Sequence, residues 1–279
     1  MTSKIPADRC KLPGAFWRAM DRAGVPPVAV LRQARLPATL LGGQSMITTS
    51  QFFAVWRALE TLSGDPAFGL KLVRMSDPEG YPPAFLAAYL ARDYRDALMR
   101  TARFKRLCTP ETLHISETLH EVTLTTTWLF AMEPEPDIST DVAFALLLSI
   151  GRHGTGQVLT PVRVELTRSK PDGGLHEAFF GCPVHFGAGR NALVLKPGDL
   201  ERPFPGHNPE LLEMLTPALS AALSELDASD AIGDQVKAVL RGKLASGRPE
   251  LADVARDLGL SERPCNGALP TRARISVRC

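Results

Sequence analysis

The chain is short of the features that mark several classes of protein. It has five cysteines in 279 residues. They stand at 10, 108, 182, 265 and 279, scattered and without a CxxC pair. A disulfide framework or a zinc site is therefore not expected, and a reducing cytoplasm fits. No stretch approaches the roughly 20 apolar residues of a membrane span, and the N-terminus lacks a signal-peptide core. Net charge is only +2, which names no strongly charged partner for the whole chain.

Catalytic and metal-binding patterns are equally scarce. The six histidines include no HExxH and no close ligand pair. His114 and His120 flank one strand turn, too little for a metal. Gly187-x-Gly189 precedes a strand, so it reads as a hairpin turn and not a dinucleotide loop. Gly242-Lys243 lacks the glycine of a phosphate loop, and Ser149-Ile-Gly151 lacks the upstream glycine of a nucleophile elbow. Cys182 precedes a proline in an apolar setting and reads as structural. With no acid–base or nucleophile set converging, the sequence predicts no enzyme, no cofactor and no metal.

What is present is a core and a terminal motif. The apolar fraction of 44% suits a globular protein. Charge is uneven: Asp227 to Asp234 is acidic, and the remainder leans basic. In Pro249 to Arg263, Leu251, Val254, Ala255 and Leu258 fall on one face of a short helix. Gly259 supplies the left-handed turn that ends it. Ser261 then caps a second helix with Glu262 in its first turn. Helix, glycine turn and capped helix make the first half of a helix-turn-helix.

Leu251 to Arg263, with Val236 to Leu244 before it, resembles the start of the DNA-binding domain of AraC/XylS-type transcriptional regulators. The resemblance implies DNA contacts near Ser261 and Arg263. A second region extends it. Phe52-Phe-Ala-Val-Trp-Arg-Ala-Leu-Glu-Thr-Leu-Ser-Gly-Asp-Pro66, Phe180-Gly-Cys-Pro-Val-His-Phe-Gly-Ala-Gly-Arg-Asn-Ala-Leu193 and Leu200-Glu-Arg-Pro203 resemble the effector-sensing domain of one branch of that family. That branch is sometimes labelled an arabinose-binding type. The resemblance spans residues 24 to 263 and implies a domain that binds a small metabolite and tunes DNA binding. It does not name the metabolite.

Taken in order, residues 1–11 read as a polar arm. Helices are expected at Ala15 to Ala23 and from Pro27. Thr49-Ser50 caps an amphipathic helix with Phe52, Val55, Trp56, Leu59 and Leu62 on one face. Further helices follow Pro66, Pro83 and Asp93. The period then changes to two: Leu113 and Ile115, then Val122 to Phe130, read as antiparallel strands. Ser139-Thr140 leads a nearly all-apolar helix, Val142 to Ile150. Val162 to Leu166 is a third strand. Val184 to Phe186 and Asn191 to Leu195 are expected to pair as a hairpin around Gly187 to Arg190. Asn208-Pro209-Glu210 starts a last helix reaching Leu226. The expected fold is thus α+β, a helical N-terminal part on an antiparallel sheet, followed by a short helix-turn-helix remnant. The expected sensing pocket lies between the sheet and its covering helices, with Trp128 and Phe144 as candidate lining residues. Leu211 and Met214, off the main stripe of the last helix, suit a partner, so a homodimer is expected.

The predicted organisation is an effector domain at 1–226, a linker at 227–233, the start of the DNA-binding module at 234–263 and an aberrant tail at 264–279. In the resembled family, Ser-Glu-Arg continues Thr-Leu-Gln-Arg-Arg-Leu; here Pro264, Gly267 and Pro270 follow. In a helix interior, proline costs about 3 kcal/mol and glycine about 1 kcal/mol. Motif and local pattern conflict, which a consistent sequence avoids. Restoring one nucleotide before the Pro264 codon permits Thr-Leu-Gln-Arg-Arg-Leu, and Ala-Asp-Glu-Gly-Thr further on. A frameshift is therefore expected. With it go the reading helix and the family's second helix-turn-helix. The chain should bind a metabolite without specific operator recognition, or act as a small-molecule-binding or dimer-partner protein.

Overall fold

The computed structural model describes residues 8–42, 46–76 and 82–244, the last sixteen of them by backbone course only. Pro249 to Cys279, and with them Ser261 and Arg263, lie outside the described residues.

The N-terminal half is a helical cluster. Helices α1 (Gly14–Arg22), α2 (Pro27–Gln33), α3 (Thr49–Ser63) and α4 (Phe68–Arg74) gather around Met20, Leu31, Phe53 and Leu59. The entry to α3 is fixed by a capping box: the Gln51 amide donates to Thr48 Oγ1 at 3.3 Å and the Thr48 amide to Gln51 Oε1 at 3.0 Å. Gly64, at φ +59°, ends the helix in the left-handed conformation that glycine adopts without strain. The expected polar arm is more ordered than its composition suggests. Cys10–Lys11 forms strand β1, antiparallel to β2 (Met46–Ile47). Asp8 Oδ1 anchors it by accepting from the Thr49 amide at 2.8 Å and hydroxyl at 2.6 Å.

Helices α5 (Pro83–Tyr89) and α6 (Tyr94–Phe104) lead into the sheet, of order β3-β4-β7-β5-β6. Strands β3 (Glu111–Glu117) and β4 (Val122–Trp128) pair antiparallel over their full length, from Glu111 opposite Trp128 to Glu117 opposite Val122. Antiparallel pairing continues through β7 (Ala192–Leu195) to β5 (Arg163–Leu166). The architecture is α+β. One pairing corrects the sequence reading: β6 (Val184–Phe186) does not form a hairpin with β7. It lies parallel to β5, which separates the two. The loop's own hydrogen bonds explain this. Gly187 N–H donates to the Arg168 carbonyl at 2.9 Å and Ala188 N–H to the Leu166 carbonyl at 3.0 Å. The glycine turn thus wraps the end of β5 and delivers β7 to its far side.

Helix α7 (Asp137–Thr155) is buried along most of its length, as its apolar run requires. Two glycines let neighbours approach it. A Cβ on Gly151 would lie 2.7 Å from Tyr94 Cζ, and one on Gly154 would run into the Phe204 ring. Tyr94 is itself pinned, donating to the Leu147 carbonyl at 2.9 Å. Gly154→Ala is therefore expected to destabilise. Overpacking costs about 1–3 kcal/mol, which exceeds the roughly 1 kcal/mol that alanine gains in a helix. A urea melt checks this; a raised midpoint would show that Phe204 moves aside freely.

The last helix also departs from expectation. After the short helix α9 (Pro197–Leu200), helix α10 (Pro209–Leu244) runs unbroken through 227–233, the stretch predicted to be a linker. Within it, Asp227 Oδ1 lies 2.6 Å from Arg106 Nη1. Among the described residues no helix is long and apolar enough to cross a membrane.

Candidate functional site

A cavity of about 150 Å³ opens between the helical cluster and the Glu111–Trp128 end of the sheet. Its walls follow from the elements just described. The apolar stripe of α3 contributes Phe52 and Trp56, α1 contributes Phe16, and the last residue of β4 contributes Trp128. Phe16 meets Trp56 edge-on at 5.1 Å, and Phe52 lies 5.5 Å from Trp56 and 5.6 Å from Trp128. Helix α7 closes the opposite side with Val142, Ala143 and Leu146.

Polar groups concentrate at one end. Lys105 Nζ pairs with Glu111 Oε2 at 2.9 Å, and Glu111 is only 3% exposed. Glu111 Oε1 is buried without a hydrogen-bond partner, and the buried Trp128 indole faces the Glu135 carboxyl. Just beyond, Glu135 Oε1 accepts from Ser139 Oγ at 2.7 Å. Burial, reinforced by the charge of Glu111, pushes the Glu135 carboxyl up to about 7. Its ordinary value in an unfolded chain is 4.5. The folded state therefore favours the protonated acid. That contribution is complete below the ordinary carboxylate range and is lost as pH rises through about 7. Melting temperatures of the native chain and Glu135→Gln should be similar at pH 5. The glutamine variant should lead by a few degrees at pH 8. Parallel pH profiles for the two would refute this.

The structure places the two predicted lining residues differently. Trp128 is on the cavity wall. Phe144 is not: it is fully buried in the core that α7 makes with the sheet. It sits one position from Ala143 and so faces another side of the helix. Conversely, Phe16, Phe52 and Trp56 line the cavity although their helical spacing reads as ordinary core. Side-chain period reports which face is inward, not whether the space there is filled.

A second polar group lies behind α7. Arg168 Nη2 meets Asp141 Oδ1 at 2.6 Å, and His176 Nε2 meets Asp141 Oδ2 at 3.0 Å. It ties α7, the chain after β5 and α8 (Leu175–Phe180) together. Arg152 adds a second tie, donating to the carbonyls of Leu159, Phe179 and Phe180. Both groups hold backbone and buried charge in place, with no nucleophile among them. The described cysteines are buried thiols; burial pushes Cys108 and Cys182 up to about 11. Among the described residues no His, Cys, Asp or Glu cluster could hold a metal ion.

An α+β domain with an aromatic-walled cavity and a long trailing helix is the class of protein that these elements define. Residues 24–204 match the family described as the arabinose-binding domain of AraC transcription regulator, N-term. The chain belongs to that family. Among solved structures it is similar to the transcriptional regulator CdpR from Pseudomonas aeruginosa, with a TM-score of 0.54 and 20% identity over 90% of this chain and 77% of that one. At that identity the likeness speaks for the fold alone. A search of curated proteins finds no match.

Proposed function

We propose that this chain is a ligand-responsive regulator of AraC type. It senses a small-molecule effector in the cavity between α1, α3, α7 and the Glu111–Trp128 end of the sheet. The observation that carries this is the cavity itself: about 150 Å³ of largely apolar space walled by five aromatic side chains, Phe16, Phe52, Trp56, Phe85 and Trp128, inside a domain of the matched family. Well-packed cores rarely leave such a void. The effector domain comprises residues 1–226, and α10 joins it to a helix-turn-helix start at 234–263. The protein works in the cytoplasm.

Sequence-specific operator recognition is lost. Ser261 and Arg263 sit where a recognition helix begins, but Pro264, Gly267 and Pro270 oppose its continuation. Basic residues near Arg263 can touch phosphates, which position a protein without specifying sequence. The same prolines and glycine favour the second reading, an effector-binding or dimer-partner protein without DNA binding. On α10, Leu211 is 43% and Met214 74% exposed, an apolar pair suited to a second copy of the chain.

Two measurements separate the readings. A metabolite that raises the melting temperature supports the effector site, since binding the native state alone stabilises it by mass action. A gel-shift against the gene's own upstream DNA, with and without that metabolite, reads operator binding. The expected result is stabilisation without a specific shift. Specific binding that survives competitor DNA would overturn the loss of recognition. A monomeric mass in light scattering at micromolar concentration would dispose of the dimer.

A further inference from the structure

We infer that the effector is an amphipathic organic carboxylate, its ring-shaped body in the cavity and its head group in an adjoining groove beneath α10, against Arg9 and Lys11. The inference rests on the reading of the cavity as the effector site and adds the ligand's chemistry and its route to the DNA-binding end.

The groove, of about 220 Å³, adjoins the cavity: Lys11, Pro82 and Cys108 line both. The two spaces differ in charge. Glu111 lines the cavity, with Glu135 just beyond it, and Lys105 on the same wall is already neutralised by Glu111 at 2.9 Å. In the groove stand Arg9, Lys11 and Arg106. Arg106 is engaged by Asp227 of α10 at 2.6 Å. Arg9 and Lys11 have no anionic partner among the described residues, and Arg9 Nε and Nη1 are buried without an acceptor. A buried donor left unpaired carries the full cost of its desolvation. A carboxylate in the groove gives the Arg9 guanidinium an anionic acceptor once the side chain turns its buried nitrogens toward the open space.

Size and wall chemistry select the rest. A dry apolar void of roughly 150 Å³ holds a benzene-sized body, and aromatic walls favour a flat ring met edge to face. A free sugar fits poorly, because its hydroxyls need partners that Phe16, Phe52 and Leu146 cannot give. The groove also explains signalling. Leu219, Ala222 and Leu226 of α10 form its outer wall. A head group there touches the helix that runs on to Leu244, so occupancy changes how α10 is docked.

The test uses the full chain and four probes of matched or contrasting chemistry: 3-phenylpropanoate, 3-phenylpropan-1-ol, 3-phenylpropylamine and L-arabinose. Calorimetric titration should find the carboxylate about tenfold or more tighter than the alcohol, with no binding by the amine or the sugar. Arg9→Gln should cut carboxylate affinity about tenfold and leave the alcohol within about twofold. Lys11→Gln provides a second variant should the first fold poorly, and circular dichroism reports folding of each. Equal binding of acid and alcohol overturns the inference, as does indifference to both variants or binding by none of the probes. Ala143→Phe, which fills the cavity, distinguishes the two levels. If the alcohol binds as well as the acid and Ala143→Phe abolishes both, only the charge assignment fails. If the carboxylate binds Ala143→Phe as tightly as the native chain, the cavity reading itself fails.

Discussion

Asp141→Ala is expected to lower folding stability by about 3–5 kcal/mol, the usual cost of removing one partner from a buried charged pair. Asp141 is 1% exposed and meets both Arg168, at 2.6 Å, and His176, at 3.0 Å. Without the carboxylate, a guanidinium inside the protein loses its counter-charge, and three elements lose their common tie. The melting temperature should fall on the order of 10 °C. Asp141→Asn keeps the shape and one acceptor oxygen, so it should fall between the two. A loss under about 1 kcal/mol in chemical denaturation of Asp141→Ala would mean that water reaches Arg168 and takes over the role.

Restoring the reading frame ahead of Pro264 is expected to raise affinity for the gene's own upstream DNA by about 10³ or more over competitor DNA. The gain would come from base-edge contacts in the major groove, which residues before Pro264 cannot supply. The repaired chain should respond to the same metabolite that stabilises the present one. If the nucleotides show no helix-turn-helix coding in the neighbouring frame, or if the unrepaired chain already binds its operator specifically, the frameshift account is wrong.

Much of the fold is legible in the residues. The start of α3 is legible to within a residue, because capping involves only neighbours in the chain: Thr49-Ser50 is expected to cap it, and Thr48 with Gln51 does so. The alternation through Leu113–Ile115 and Val122–Trp128 becomes one continuous ladder, because a short turn brings the two strands side by side. Longer-range choices are less visible. Gly187-x-Gly189 announces a turn without saying which strand receives the next one, and β5 outcompeted β6 for β7. Asp227-Ala-Ser-Asp230 is polar enough for a linker, yet it continues α10, with Asp227 paired to Arg106, far away in sequence. The site is harder still. Trp128 is a candidate from the expectation of a pocket between the sheet and its covering helices, and it stands on the cavity wall. Phe52 and Trp56 share the spacing of any buried stripe, and a void is a property of several elements together. Arg9 carries no local signal, since its isolation depends on what β1, α5 and α10 fail to place near it.

The central claim is that the aromatic-walled cavity is the effector site, and tryptophan fluorescence tests it most directly. The chain has three tryptophans. Trp56 and Trp128 line the cavity, and Trp17 lies 5.1 Å edge-on from the lining residue Phe16. All tryptophan emission therefore arises at or beside this space. A molecule that stabilises the full chain should shift or quench that emission saturably, with a midpoint matching its calorimetric Kd, and Ala143→Phe should abolish both signals. A stabilising ligand that leaves the emission unchanged and binds Ala143→Phe as tightly as the native chain would contradict the account.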